Sequence, residues 1–135
     1  MIEGLSHLTF IVRDLDKMET LLMKVLDAQK VYDSGENTFS IAKERFFSVG
    51  GLWIAIMEGD SLQSKSYNHA AFKINTDDYE NRLHRIESLG LKVLNGRPRI
   101  EGEGRSIYFY DYDNHLFELH SGTLENRLAL YSEQL

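Results

Sequence analysis

Two histidines and one glutamate stand at matching places of an internal repeat. Ser6-His-Leu-Thr-Phe-Ile-Val and Asn68-His-Ala-Ala-Phe-Lys-Ile both put His second and Phe fifth, which makes His7 and His69 equivalent. Gly59 after Leu52-Trp-Ile-Ala-Ile-Met and Gly122 after Leu116-Phe-Glu-Leu-His-Ser bring the closing segments into register and set Glu118 against Ala55. His7 lies 48 positions before Ala55, and His69 lies 49 before Glu118. Four equivalent positions thus hold His, Ala, His and Glu. Two imidazoles and a carboxylate suit a borderline divalent ion such as Mn, Fe, Co, Ni or Zn, and the alanine leaves coordination positions for substrate or water. Taken singly, each residue reads more readily as a polar strand position or a buried, paired carboxylate than as a ligand; their recurrence at equivalent sites reverses that and favours a metal.

The elements that must position them follow from periodicity. Leu8, Phe10 and Val12 alternate with His7, Thr9 and Ile11, giving a strand with two unlike faces. Asp14 then caps a helix over about Leu15 to Leu26, whose apolar residues Leu15, Met18, Leu21, Leu22 and Val25 recur at helical spacing. Strands are predicted over Gln29 to Tyr32, Thr38 to Phe47 and Leu52 to Met57, separated by Ser34-Gly35-Glu36-Asn37 and Gly50-Gly51 turns. The second half repeats this βαβββ order: a strand at Asn68 to Ile74, a helix over about Thr76 to Leu89 ended by Gly90, then strands near Leu91 to Leu94, Arg105 to Asp111 and Leu116 to His120. A last helix runs from Leu124 to about Tyr131. The expected fold is α+β, with paired βαβββ modules, 1–62 and 63–135, forming cupped mixed sheets. Phe117 and Leu119 face the core and Glu118 faces the cup.

Composition narrows the chemistry. The 135 residues suit one compact domain or two half-domains sharing a core. With no cysteine there are no disulfides, thiolate ligands or cysteine nucleophile, so any metal site is built from His and carboxylate. A formal charge of −6 argues against a nucleic-acid binder and requires clustered arginines for any anionic substrate. The start of the chain lacks a basic segment followed by an apolar one, and the longest mostly apolar run, Phe46 to Met57, is broken by Ser48 and two glycines. A cytoplasmic protein without membrane spans is the expectation. His84 lies on a predicted helix, His115 beside an Asp-Asn turn, and His120 at a strand end, so none is assigned as a ligand.

At these residues the chain resembles the vicinal oxygen chelate proteins, and more narrowly the fosfomycin resistance enzymes. The likeness covers nearly the whole chain: Gly4-Leu-Ser-His-Leu-Thr, Trp53-Ile-Ala-Ile-Met-Glu-Gly, Tyr67-Asn-His, Gly102-Glu-Gly-Arg-Ser-Ile-Tyr-Phe-Tyr-Asp and His115-Leu-Phe-Glu-Leu-His-Ser-Gly-Thr-Leu. The resemblance implies that His7, His69 and Glu118 bind a divalent metal, manganese foremost. It also implies a homodimer in which His7 serves a site whose His69 and Glu118 come from the partner chain. Two branches of the family add a thiol to the fosfomycin epoxide, and a third, FosX-type branch adds water with a glutamate as general base. Glu44 in Ser40-Ile-Ala-Lys-Glu-Arg-Phe-Phe stands at that glutamate's place. The residues agree weakly: on a strand from Thr38, Ser40, Ala42 and Glu44 would share one face of a cavity wall, although a solvated glutamate beside Lys43 and Arg45 reads the same way.

The resemblance also implies that Arg127, Thr9 and Tyr108 reach the substrate's phosphonate. Ser106 is carried as a further contact, while Arg97, Arg99 and Arg105 fit a surface patch equally well. Trp53 is read as an apolar wall of the pocket or as core, and Tyr67 as a residue that orients ligands. One departure is Asn126, where FosX-type chains often carry a glutamate. The expected activity is metal-dependent hydrolysis of fosfomycin to a vicinal diol phosphonate. The alternatives are thiol transfer from glutathione, bacillithiol or cysteine, a non-catalytic antibiotic-binding protein of the same fold, and an Fe(II) dioxygenase.

Overall fold

The computed structural model describes every residue, Met1–Leu135, and divides into two units. The first comprises Met1–Lys65 with Asp111–His115, and the second Ser66–Tyr110 with Leu116–Leu135.

In the first unit, β1 (His7–Val12), α1 (Leu15–Leu26), β2 (Gln29–Asp33), β3 (Glu44–Val49) and β4 (Leu52–Glu58) follow in order. They form a sheet ordered β1-β4-β3-β2, in which β1 runs parallel to β4 and the other pairs are antiparallel. α1 has the predicted bounds for identifiable reasons. The Asp14 carboxylate accepts the Lys17 N–H at 3.0 Å, and Leu15, Met18, Leu21, Leu22, Val25 and Leu26 are all buried. At the other end Asp27 enters the left-handed region, φ 54°, and the Ala28 N–H closes on the Leu22 carbonyl at 3.1 Å.

The strand expected from Thr38 begins only at Glu44. Asp33 accepts the Gly35 N–H at 2.9 Å, and this turn, with Gly35 at φ 57°, ends β2. Ser34 closes the ladder instead: its N–H donates to the Glu44 carbonyl and its hydroxyl accepts the Glu44 N–H, both at 3.0 Å. On the other side Glu58 bonds back to the Lys43 carbonyl, after which Gly59 turns to Val12. Residues 38–42 therefore have no strand to pair with, and the shared face proposed for Ser40, Ala42 and Glu44 does not exist.

The second unit repeats the plan with β5 (His69–Lys73), a single 3₁₀ turn (Thr76–Asp78), α2 (Tyr79–Ser88), β6 (Val93–Leu94), β7 (Ser106–Tyr110) and β8 (Leu116–His120), ordered β5-β8-β7-β6. α3 (Leu124–Glu133) follows. The predicted second helix is thus split, because Asn75 caps a tight turn by accepting the Asp77 N–H before α2 starts.

The tip of the β7–β8 hairpin belongs to the first unit. Asp111 accepts the N–H groups of Asp113 and His115 at 2.9 and 2.8 Å, and Asn114 takes φ 69°. Asp113 in turn accepts the Arg13 N–H at 3.0 Å and the Ser61 hydroxyl at 2.5 Å. His115, 2.8 Å from Asp111, is a structural residue, as its place beside the turn suggested.

Ile86, Ile107, Phe109, Phe117 and Leu119 form the buried core of the second unit, with Phe109 and Phe117 stacked at 5.7 Å. Phe117→Ala should lower stability by about 3–5 kcal/mol, read from urea denaturation; a loss under about 1 kcal/mol, the size of a mild core change, would contradict this packing.

Candidate active site

β5 and β8 run parallel, with Ala71 opposite Glu118 and His69 opposite Leu116, so His69 and Glu118 project from one face on adjacent strands. His69 Nε2 lies 3.0 Å from Glu118 Oε1. The other ring nitrogen, Nδ1, lies 2.6 Å from the Tyr67 carbonyl. A carbonyl only accepts, so Nδ1 carries a proton; in the neutral ring Nε2 then turns a lone pair toward the carboxylate, and in the imidazolium it donates to Oε1. In the neutral ring the nitrogen and the carboxylate oxygen are two acceptors placed to share a cation. An imidazole nitrogen and a carboxylate oxygen are the donor set of a borderline divalent metal, and the carbonyl that fixes the tautomer is the usual outer support of such a ligand.

The second carboxylate oxygen of Glu118 is held separately. Ser106 donates to Oε2 at 2.6 Å and Arg99 Nη2 approaches it at 3.2 Å. Burial pushes the Glu118 carboxyl upward, but hydrogen bonds from Ser106 and Tyr108 and the Arg99 charge outweigh it, leaving it below the usual carboxylate value. Burial, together with hydrogen bonds to Tyr67 and Glu118 and the Glu118 charge, drives the Tyr108 phenol far above its ordinary value. Tyr108 is therefore a proton donor throughout the neutral range. Burial also holds His120 below the ordinary imidazole value. Its Nδ1 meets the Ser106 hydroxyl at 2.7 Å, and its Nε2 is buried without a hydrogen-bond partner.

For Arg99 the open choice between a surface patch and the site falls to the site. Its Nη2 donates to Ser106 at 2.7 Å, to Tyr108 at 2.9 Å and to Glu118 at 3.2 Å, putting a guanidinium inside the site. Arg105 does belong to the surface, stacked 3.6 Å over the Tyr79 ring. Glu103, which no sequence pattern singles out, is fully buried among Arg97, Arg99, Arg127 and Tyr131. Arg127 engages it through Nε at 3.4 Å. Asn126 is committed elsewhere, to Thr123 at the start of α3: its N–H donates to the threonine hydroxyl, which donates to its Oδ1 at 2.7 Å.

The first unit carries the other candidates. His7 is exposed at the start of β1, stacked on Trp53 with ring centroids 4.1 Å apart. The register pairs His7 with Trp53, Thr9 with Ala55, Phe46 with Ala55 and Glu44 with Met57. Since alternate residues share a face, His7, Thr9, Trp53, Ala55, Phe46 and Glu44 occupy one side of this sheet, and the buried Phe47, Ile54 and Ile56 the other. Glu44 is not neutralised by its basic neighbours. Lys43 pairs with Glu36 at 3.1 Å, and Arg45, on the opposite face, pairs with Asp16, Asp33 and Glu19 at 2.8, 3.2 and 3.3 Å. No three His, Cys, Asp or Glu side chains of the single chain form a metal-holding group.

Residues 4–119 match the family model of the glyoxalase/bleomycin resistance protein/dioxygenase superfamily. The chain is 59% identical over 133 residues to the fosfomycin resistance protein FosX of Listeria monocytogenes, covering 98% of this chain and 100% of that one. It is 34% identical to the metallothiol transferase FosB of Staphylococcus saprophyticus, covering 99% and 87%. A crystal structure of a glutamate-to-glutamine variant of Listeria FosX, complexed with Mn(II) and 1S,2S-dihydroxypropylphosphonic acid, superposes with a TM-score of 0.89 at 54% identity, covering 97% of this chain and 99% of that one.

The buried Glu103 makes a pH-dependent contribution with a definite sign. The hydrogen bond from Arg97, followed by those from Tyr131 and the Ile100 N–H, holds its carboxyl far below the usual range against the opposing effect of burial. Because the folded value lies below the unfolded one, near about 4.3, this contribution is full above that pH and is lost as the pH falls toward the folded value. The difference in urea stability between the protein and Glu103→Gln should be widest at neutral pH and should narrow below about pH 4.3. A difference independent of pH would show that Glu103 is not held as an anion.

Proposed function

The chain belongs to the glyoxalase/bleomycin resistance protein/dioxygenase superfamily and, within it, to the FosX-type fosfomycin resistance proteins; from that premise we propose that it opens the epoxide of fosfomycin with water to give a vicinal diol phosphonate. His69 and Glu118 fit a divalent ion by their donor types and 3.0 Å approach, and His7 is its third ligand. Manganese, which the Listeria relative binds, supplies Lewis acidity at the epoxide oxygen when bound.

The chain's own residues do the rest. Glu44 accepts a proton from water as the oxygen bonds to the ring carbon next to phosphorus; the epoxide C–O bond at that carbon breaks, and the released alkoxide takes a proton from solvent to complete the diol. Arg99, Ser106 and Tyr108 present donors beside Glu118, and with Thr9 and Arg127 they bind and orient the phosphonate. Trp53, 40% exposed, supplies an apolar wall beside His7. The observation that carries hydrolysis over thiol transfer is Glu44, free of ion pairs on the same sheet face as His7, Thr9 and Ala55. Water is far too weak an acid to ionise near neutral pH and needs a base to become a nucleophile, whereas a thiol is already partly ionised there.

We propose further that the active form is a cytoplasmic homodimer in which His7 of one chain joins His69 and Glu118 of the other. The exposure of His7 and the incomplete ligand group in the single chain support this arrangement. No helix is long and apolar enough to cross a membrane.

Purified protein loaded with manganese and given fosfomycin without thiol should yield the diol by phosphorus NMR; a product that appears only with thiol would reject hydrolysis. Glu44→Gln should reduce turnover by about 10²–10⁴-fold with Mn(II) affinity unchanged by EPR, and full activity would remove Glu44 from the mechanism. His7→Ala and His69→Ala chains, each inactive alone, should recover activity when unfolded together and refolded, because each mixed dimer regains one intact site. Continued inactivity of a refolded mixed dimer would place all three ligands in one chain.

A further inference from the structure

We propose that Glu103 is a positioning residue that holds Arg99 and Arg127 as donors for the substrate's anionic group. It deepens the reading of the site as one for a phosphonate, and rests on that reading. Glu103 has no exposed surface, and burying a lone carboxylate is unfavourable unless its lone pairs are satisfied. Its partners are the Ile100 N–H at 3.0 Å, the Tyr131 hydroxyl at 2.7 Å, Arg97, Arg99 Nη1 at 3.4 Å and Arg127 Nε at 3.4 Å. They come from the segment before β7 and from α3, so one carboxylate ties two otherwise separate sources of arginine together.

The geometry at Arg99 shows why this matters. A guanidinium is a rigid plane, so fixing one amino group fixes the direction of the other. Nη1 faces Glu103, while Nη2 faces Ser106, Tyr108 and Glu118. Arg127 engages Glu103 through Nε alone, which leaves both of its Nη groups available. Three guanidiniums around Glu103, one of them also on Glu118, leave a net positive charge that attracts an anionic group. Glu103 touches neither His69 nor Glu118 and reaches Glu118 only through Arg99, so its effect on substrate should exceed its effect on metal binding.

The experiment compares the manganese-loaded protein with Glu103→Gln and Tyr131→Phe, the latter removing one donor to Glu103 from a residue 38% exposed. KM and kcat for fosfomycin, competitive inhibition by inorganic phosphate, and Mn(II) affinity by EPR are measured for each. Glu103→Gln should raise KM and the phosphate inhibition constant by about 10-fold or more, the loss expected when a charge-assisted network is broken. Mn(II) affinity should change by a smaller factor than KM, and kcat should fall less than KM rises. Tyr131→Phe should move the same two constants in the same direction by a smaller factor, and it decides the matter if Glu103→Gln does not fold. Folded variants with unaltered KM and phosphate inhibition, or with losses confined to kcat or Mn(II) affinity, overturn the proposal. Should the parent protein leave fosfomycin intact, the proposed function falls. Direct calorimetric binding of phosphate then tests Glu103 alone: weakened binding in Glu103→Gln supports it, and equal binding overturns it.

Discussion

The candidate site depends on keeping the buried Glu118 ionised between two strands. A carboxylate 4% exposed would ordinarily be driven toward its protonated form, and a protonated acid is a poor metal ligand. The protein counters this by dividing the two oxygens. Oε2 receives the Ser106 hydroxyl and the Arg99 guanidinium, which stabilise the anion, and Oε1 is left facing His69. Much of the second unit's polar architecture serves that division. β7 presents Ser106 and Tyr108 beside β8, with Tyr108 directly opposite Glu118, and the Tyr67 carbonyl sets the tautomer of His69.

The same scaffold, used twice, holds different chemistry. β1 and β4 pair as β5 and β8 do, and Thr9 opposite Ala55 corresponds to Ala71 opposite Glu118. At Ala55 no carboxylate has to be kept charged, so the neighbouring positions are free for aromatic residues: Trp53 stacks on His7 and Phe46 meets Trp53 edge-on at 5.1 Å. One half thus offers a polar, cation-ready pocket and the other an apolar face with a lone imidazole and an unpaired Glu44.

How far this was legible in the sequence depended on the range of the interaction. α1 was readable to the residue because its cap, apolar stripe and left-handed exit are local, and the alternation around Phe117, Glu118 and Leu119 named the face each occupies. The strand before Glu44 was overextended because Thr38 to Phe47 has suitable residues, whereas strand formation requires partners that end at Asp33 and Glu58. Arg99 and Glu103 sit in a stretch with neither helical nor strand periodicity. Their roles arise from tertiary contacts alone, so the sequence offered Arg97, Arg99 and Arg105 as interchangeable, and the fold put only Arg99 on Glu118.

An acidic chain that must hold a dianion has to make its attraction local. With a formal charge of −6 its average field repels an anion, but charges on the surface are screened over about 8 Å at physiological ionic strength. Several basic side chains of the first unit are paired with carboxylates where they stand: Arg45 with Asp16, Glu19 and Asp33, Lys30 with Glu19 and Asp33, and Lys43 with Glu36. Arg97, Arg99 and Arg127 are instead gathered around a single buried carboxylate, where the surrounding protein screens less than water does. Glu103 offsets enough of their mutual repulsion to let them assemble, yet leaves an excess of positive charge. On the proposed reading, the attraction that selects an anionic group is a property of this cluster, set against the sign of the whole molecule.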